Sequence, residues 1–337
     1  MKLRYLLIAA ALGTSLAAAS FTALAQSPII IKFSHVVAAD TPKGKGAERF
    51  KQLAEERAKG RVKVEVYANS VLYKDKEEME ALQLGAVQML APSLAKFGPL
   101  GVKEFEVFDL PFIFATKAVL QRIEEGPVGA NLFKKLESKG IKGLAYWDNG
   151  FKVMSANKPL HLPADFKGLK MRIQSSKVLE AQMRALGALP QVLAFSEVYQ
   201  ALQTGVVDGT ENPPSNLYTQ KMNEVQKYVT ISNHGYLGYA VIVNKKFWDE
   251  LPADIRTALE GAMKDATRYT NAIAQQENDD ALAKVKATGK TEVYTLTAAE
   301  TEAWKKALLP VQEEMKSRIG KETIDEVRKE AAVLGQK

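Results

Sequence analysis

Between residues 29 and 90 the hydrophobic period switches from two to 3.6 and back twice, and this alternation limits the chain to one class of fold. Ile29-Ile30-Ile31-Lys32-Phe33-Ser34-His35-Val36 is a β-branched run that predicts a buried strand. Thr41-Pro42 opens a helix with apolar positions at Phe50 and Leu53, and Gly60 ends it. Residues 61–67 alternate as a second strand. Residues 75–84 predict a helix, with Asp75 and Glu78 spaced like a capping box, and 87–90 a third strand. The order βαβαβ predicts a mostly parallel sheet with right-handed crossovers.

The pattern returns with a different sequence. Residues 141–147, 151–156, 168–174 and 189–193 read as strands, and 176–186 and 195–203 as helices, the second closed by Gly205. Residues 206–209 predict a short strand ending in a turn, and 228–232 and 239–244 two further strands. From 252 to 288 the chain is almost continuously helical, with Leu251, Ile255, Leu259 and Met263 on one stripe. From 298 onward it reads as helices broken at Gly320, and no internal repeat occurs.

Two α/β halves with strands crossing between them predict a hinge architecture. Ligand is expected in the cleft near strand C-terminal ends, with the domains closing on it. The predicted N-terminal domain is 26–149 plus about 238–277, and the C-terminal domain 150–237 plus about 278–337.

The N-terminus reads as an export leader. Lys2 and Arg4 precede an apolar run at 5–12, and a small-residue stretch ends in Ala23-Leu24-Ala25. Residues 1–25 are expected to be a signal peptide cleaved after Ala25, which puts the mature chain in the periplasm. The apolar run is too short for a stable transmembrane helix, and no later segment is long and apolar enough to span a bilayer. The sequence has no cysteine, which excludes lipidation of the new N-terminus, disulfides and thiolate chemistry.

The formal charge of +7 includes Lys2 and Arg4, and residues 1–25 hold no acid, so the chain beyond Ala25 carries +5. Acids and bases interleave, as in Lys74-Asp75-Lys76-Glu77-Glu78, and no long basic block supports nucleic-acid binding. His35, His161 and His234 are far apart and lack companions at metal-ligand spacing, so no metal site is expected. There is no nucleophile elbow and no Walker loop, and Gly44-Lys45-Gly46 is too short to mark a phosphate site. Asp208 and Glu211 near a turn are a commonplace pair of acids. No cofactor and no catalysis are expected.

One cation stands out. Arg172 lies in Gly168-Leu169-Lys170-Met171-Arg172-Ile173-Gln174, on the face opposite Leu169, Met171 and Ile173. A guanidinium at a strand exit before a helix is placed to hold an anion at a cleft. On pattern alone, a solvated strand-face charge is the commoner meaning.

Several blocks occur in order: Phe33-Ser34-His35, Asn69-Ser70-Val71-Leu72-Tyr73-Lys74-Asp75-Lys76-Glu77, Ala81-Leu82-Gln83-Leu84-Gly85, Trp147-Asp148-Asn149-Gly150-Phe151-Lys152 and Pro163-Ala164-Asp165-Phe166-Lys167-Gly168-Leu169-Lys170-Met171-Arg172. The last runs from Phe195-Ser196-Glu197-Val198-Tyr199 to Asp208-Gly209-Thr210-Glu211-Asn212. Together they resemble the solute receptors of tripartite ATP-independent periplasmic (TRAP) transporters, over essentially the whole mature chain. The nearest likeness is to the branch that binds C4-dicarboxylates such as succinate, fumarate and malate.

The resemblance implies a two-domain periplasmic-binding-protein fold and a small carboxylate as ligand. It also implies delivery to a membrane permease driven by an ion gradient, and no covalent chemistry. The expected oligomeric state is a monomer. Arg172 matches the family's carboxylate-gripping arginine, and Asn212 a supporting amide, although an asparagine before Pro213-Pro214 is also an ordinary turn residue. Lys152 stands where many members carry a second arginine, so a point charge replaces a fork. His35, Lys74 and Ser93 fall at cleft positions of the N-terminal domain, and Phe195 at that of a ligand-packing aromatic. A structural role for His35 and core packing for Phe195 are equally good readings, and for Trp147 and Tyr236 core packing is preferred. Alternatives are a receptor for a longer, aromatic or sugar acid, a receptor for an ATP-driven importer, a periplasmic enzyme, and a sensory receptor.

Overall fold

The computed structural model describes residues 27–335, so the expected signal peptide and its cleavage point lie outside the described residues. Among the described residues eleven strands form two sheets. They are β1 Ile29–Ser34, β2 Val62–Tyr67, β3 Met89–Leu90, β4 Ile141–Phe151, β5 Val153–Ala156 and β6 Lys170–Ile173, followed by β7 Leu189–Val192, β8 Gly209–Asn212, β9 Tyr228–Ile231, β10 Tyr236–Asn244 and β11 Glu292–Thr295. The first sheet has the order β2-β1-β3-β10-β4 and the second β11-β9-β5-β8-β6-β7.

In the first lobe β1 runs parallel to β2, with Ile31 beside Val64, and parallel to β3, with Phe33 beside Met89. Strand β10 returns antiparallel between β3 and β4. The helix Pro42–Arg57 makes the first crossover. Its N-cap Thr41 accepts from Gly44 N at 3.1 Å and Pro42 presets the first turn. Phe50, Leu53 and Ala54 then pack beneath the sheet with Phe33 and Trp147. In the second lobe β6 is parallel to β7 and β8, while β5 lies antiparallel to β8 and β9.

The lobes are joined where strands pass from one sheet to the other. Only Lys152 separates β4 from β5, and Ser232-Asn233-His234-Gly235 links β9 back to β10. The helix Ala253–Ala287 crosses both lobes, with Ile255, Leu259 and Met263 in the first core and Val285 in the second. Midway, Asn278 donates to Asn149 O at 2.5 Å and accepts from Ser215 N at 2.9 Å, tying the helix to both sides of the crossover. Gly150 faces that contact: a Cβ there would stand 2.7 Å from Asn278 Nδ2.

Four details differ from the sequence reading. The strand expected at 206–209 lies instead at β8, whose Thr210-Glu211-Asn212 is polar because it joins a buried polar network. Helices at Lys117–Glu125 and Pro127–Leu136, and strand β11, were not anticipated. Asp75 does not cap a helix: Glu78–Gln83 begins after it without a side-chain cap. The tail does not stay with the second lobe. Trp304 and Leu308 belong to its core, but Met315, Ile319, Ile324 and Val327 join Phe105, Phe108, Val119 and Ile123 of the first.

Candidate ligand-binding site

The second lobe contributes Arg172. Strand β6 is flanked by β7 and β8, so a side chain on its cleft-facing side is enclosed, and Arg172 is 2% exposed rather than solvated. Its Nε and Nη2 both donate to Leu193 O, at 3.1 and 2.9 Å. This fixes one edge of the guanidinium and leaves the Nη1–Nη2 edge available. The ring of Phe195 lies 5.7 Å from the guanidinium carbon.

The first lobe contributes Lys43, in the opening turn of the helix Pro42–Arg57. The side chain is wholly buried; Nζ donates to Ala91 O at 2.9 Å and sits 3.7 Å from the centroid of the Tyr239 ring. Burial, reinforced by the nearby Lys96 charge, pulls its pKa down to about 7. Among the described residues no carboxylate lies within 4.0 Å of the Lys43 or the Arg172 charge, because neither takes part in an ion pair.

Both cations line one small cavity between the lobes, about 280 Å³ of empty space including its mouth. Ser93, Phe195, Asn212 and Tyr239 line it too. Asn212 makes only long contacts through Nδ2, 3.5 Å to Thr210 Oγ1 and 4.0 Å to Met222 Sδ, and its Oδ1 has no partner. Asn216 donates to the Tyr239 hydroxyl at 3.1 Å, with its own Oδ1 unpartnered. A buried polar group is normally satisfied, so these amides mark a place where polar atoms are expected.

A third buried cation, Lys96, is already neutralised by Asp75 and Glu78. Burial opposes ionisation of Asp75, but Lys96 and Arg172 outweigh it and hold the carboxyl down to about 2. Burial raises the Glu78 pKa against the pull of Lys96. Asp75 also accepts the backbone N–H of Phe195 across the cleft. Lys74 meets Glu197 at 3.2 Å and Gln220 meets Asn69 at 3.3 Å, so the lobes are in contact at the cleft rim.

Of the residues singled out in the sequence, Arg172, Asn212, Ser93 and Phe195 come together in this cavity. Three do not. Lys152 is turned inward at the crossover, 2.6 Å from Glu211 Oε1 and 2% exposed. Glu211 also meets His234 Nε2 and Gln182 Nε2, each at 2.9 Å, so Lys152 and Glu211 balance each other inside the hinge. Lys74 is exposed at the rim. His35 is buried beside the cavity; burial and the Lys43 charge hold its pKa down to about 3, which leaves the ring neutral at pH 7. Trp147 and Tyr236 are core residues, their polar atoms bonded to Thr267 at 2.9 Å and Asp148 at 3.0 Å.

Lys43, Asp75, Lys96, Asn216 and Tyr239 escaped the sequence reading. For Lys43 a signal was present: a cation in the first turn of a helix opposes the macrodipole, so its place there calls for another reason. Among the described residues there is no group of three or more His, Asp or Glu placed to hold a metal, and no helix long and apolar enough to cross a membrane.

The chain is similar to known proteins over most of its length. The C4-dicarboxylate-binding periplasmic protein DctP of Rhodobacter capsulatus is 69% identical over 311 residues, 92% of this chain and 93% of that protein. A TRAP periplasmic solute-binding protein from Sulfurospirillum deleyianum, solved with bound succinate, is 49% identical with a TM-score of 0.87, covering 90% of this chain and 99% of that one. Another from Pseudomonas aeruginosa, solved with bound L-malate, is 48% identical with a TM-score of 0.83, covering 85% and 100%. The family model for bacterial extracellular solute-binding proteins, family 7, matches residues 33–318, and this chain, a solute receptor and not an enzyme, belongs to that family.

Proposed function

We propose that this receptor captures a C4-dicarboxylate, such as succinate, malate or fumarate, and hands it to the permease of a TRAP transporter. The observation that carries this reading is the pair Arg172 and Lys43. They approach one cavity from opposite lobes, and among the described residues neither forms a direct ion pair, although Asp75 acts on Arg172 at longer range. Buried cations are stable when an anion neutralises them, and a short dianion satisfies both at once. Arg172 presents its free edge to one carboxylate, with Asn212 beside it. Lys43 and Ser93 receive the other. Contacts to both lobes exist only when the lobes are together, so ligand favours the closed form. The succinate- and malate-bound relatives agree with this ligand class.

Export to the periplasm with cleavage after Ala25, action as a monomer and docking to permease subunits complete the proposal. Titration calorimetry with succinate, malate, fumarate and the monoanion butyrate tests the central claim. Butyrate should bind at least about a hundredfold more weakly than succinate, since one buried cation stays unpaired. Equal affinity for butyrate and succinate would overturn the two-cation reading. N-terminal sequencing of the exported protein should start at Gln26.

A further inference from the structure

Asp75, Lys96, Arg172 and Gln174 each face two spaces. On one side is the small chamber between Arg172 and Lys43. On the other is a larger groove, about 890 Å³ of empty space counting the open solvent at its mouth, between the helix Glu78–Gln83 and the segment 192–194. Its walls mix the apolar side chains of Met79, Pro99, Leu100, Val192, Leu193 and Ala194 with the polar ones of Lys76, Glu80, Gln83 and Ser175. These four residues form the boundary between the two spaces, and in it the Asp75 carboxylate is gripped by Lys96 from its own lobe and by the Phe195 N–H from the other. Because one of those bonds crosses the cleft, the barrier is complete only when the lobes meet.

We propose that the Asp75–Lys96 pair is a removable partition that limits the chamber to a four-carbon diacid, and that the groove behind it is a compartment for the methylene chain of a longer aliphatic dicarboxylate. This rests on the dicarboxylate reading of the chamber. An alkyl chain cannot share the space that the Asp75 side chain fills, and that side chain is held there by Lys96 and the Phe195 N–H. With the Asp75 side chain removed, Lys96 still has Glu78, so no naked charge blocks the way. One carboxylate then stays on Arg172, the methylenes lie against Leu100 and Val192, and the far carboxylate reaches the groove beside Lys76.

Calorimetry on the full chain with succinate, adipate and suberate tests the partition in the wild type, Asp75→Ala and Asp75→Asn. Asp75→Ala should improve adipate and suberate affinity relative to succinate by about tenfold or more, the scale of one accommodated methylene. Asp75→Asn keeps the bulk and should leave the ratio near the wild-type value. Adding Leu100→Trp to Asp75→Ala should refill the groove and cancel the gain. No gain in a folded Asp75→Ala, or an equal gain in Asp75→Asn, overturns the proposal; should Asp75→Ala melt below the assay temperature, Asp75→Ser carries the same comparison. A wild type that ignores every C4 acid sinks the dicarboxylate reading instead, while adipate binding by Asp75→Ala against wild type still decides the partition.

Discussion

The Lys43 ammonium stands 3.7 Å from the centre of the Tyr239 ring and donates to the Ala91 carbonyl, without a carboxylate partner. A π face and a carbonyl dipole offset part of the cost of burying a charge, but not all of it. The protein therefore holds an ammonium whose stabilisation is incomplete until an anion arrives. Lys43→Met should raise the melting temperature of the ligand-free protein and abolish most of the further rise that succinate produces. Thermal unfolding with and without succinate checks both halves.

Ligand binding near neutral pH should take up protons. The Lys43 pKa is drawn down to about 7, and a neighbouring dianion raises it. Calorimetry in buffers of different ionisation enthalpy should show net uptake in wild type and less in Lys43→Met. The same depression makes a statement about stability. Between about 7 and the ordinary 10.5 the unfolded lysine binds more protons than the folded one, so this group's contribution to stability rises with pH across that window. Wild-type stability measured against Lys43→Met should climb accordingly.

Arg172→Ala should cost about 3–5 kcal/mol of binding, as expected when one partner of a buried charge pair is removed. That is on the order of a hundredfold to several thousandfold in affinity by calorimetry. Arg172→Lys should also bind poorly, because it keeps the charge and loses the fork that meets Leu193 O and a carboxylate together.

Glu211→Gln should destabilise the fold by about 3–5 kcal/mol in denaturant unfolding, because it leaves Lys152 charged and buried without its partner. Burial opposes the Glu211 charge, yet Lys152 and His234 hold its pKa well below the usual carboxylate range. Its contribution is present above the unfolded value of 4.5 and is lost as pH falls toward the folded one. Acid unfolding of wild type should thus show a loss that the Gln variant lacks.

The strands and helices that repeat a clean period were legible: β1, β2, the helix Pro42–Arg57 with its Thr41 cap, and the long helix Ala253–Ala287. Arg172 and Asn212 were legible through ordered motifs. What stayed hidden depends on partners distant in sequence. Lys152 looked like a ligand cation because Glu211, 59 positions away, is invisible to a local reading. Asp75 looked like a cap because its spacing to Glu78 is right, whereas its partners are Lys96 and the Phe195 N–H. Period shows that the tail is helical but not which lobe its apolar face meets. Strand β8 has no hydrophobic alternation because Glu211 is held by Lys152, His234 and Gln182 while Asn212 lines the cavity.

The chain passes between the lobes at β4–β5, at β9–β10, along the helix Ala253–Ala287 and again near Leu308–Met315. Neither half is thus a continuous stretch of polypeptide. The first cannot finish its core until Ile324 and Val327 have been synthesised, after the whole of the second lobe's sheet. No single proteolytic nick can release one half as an intact body, and neither half is obtainable by simple truncation.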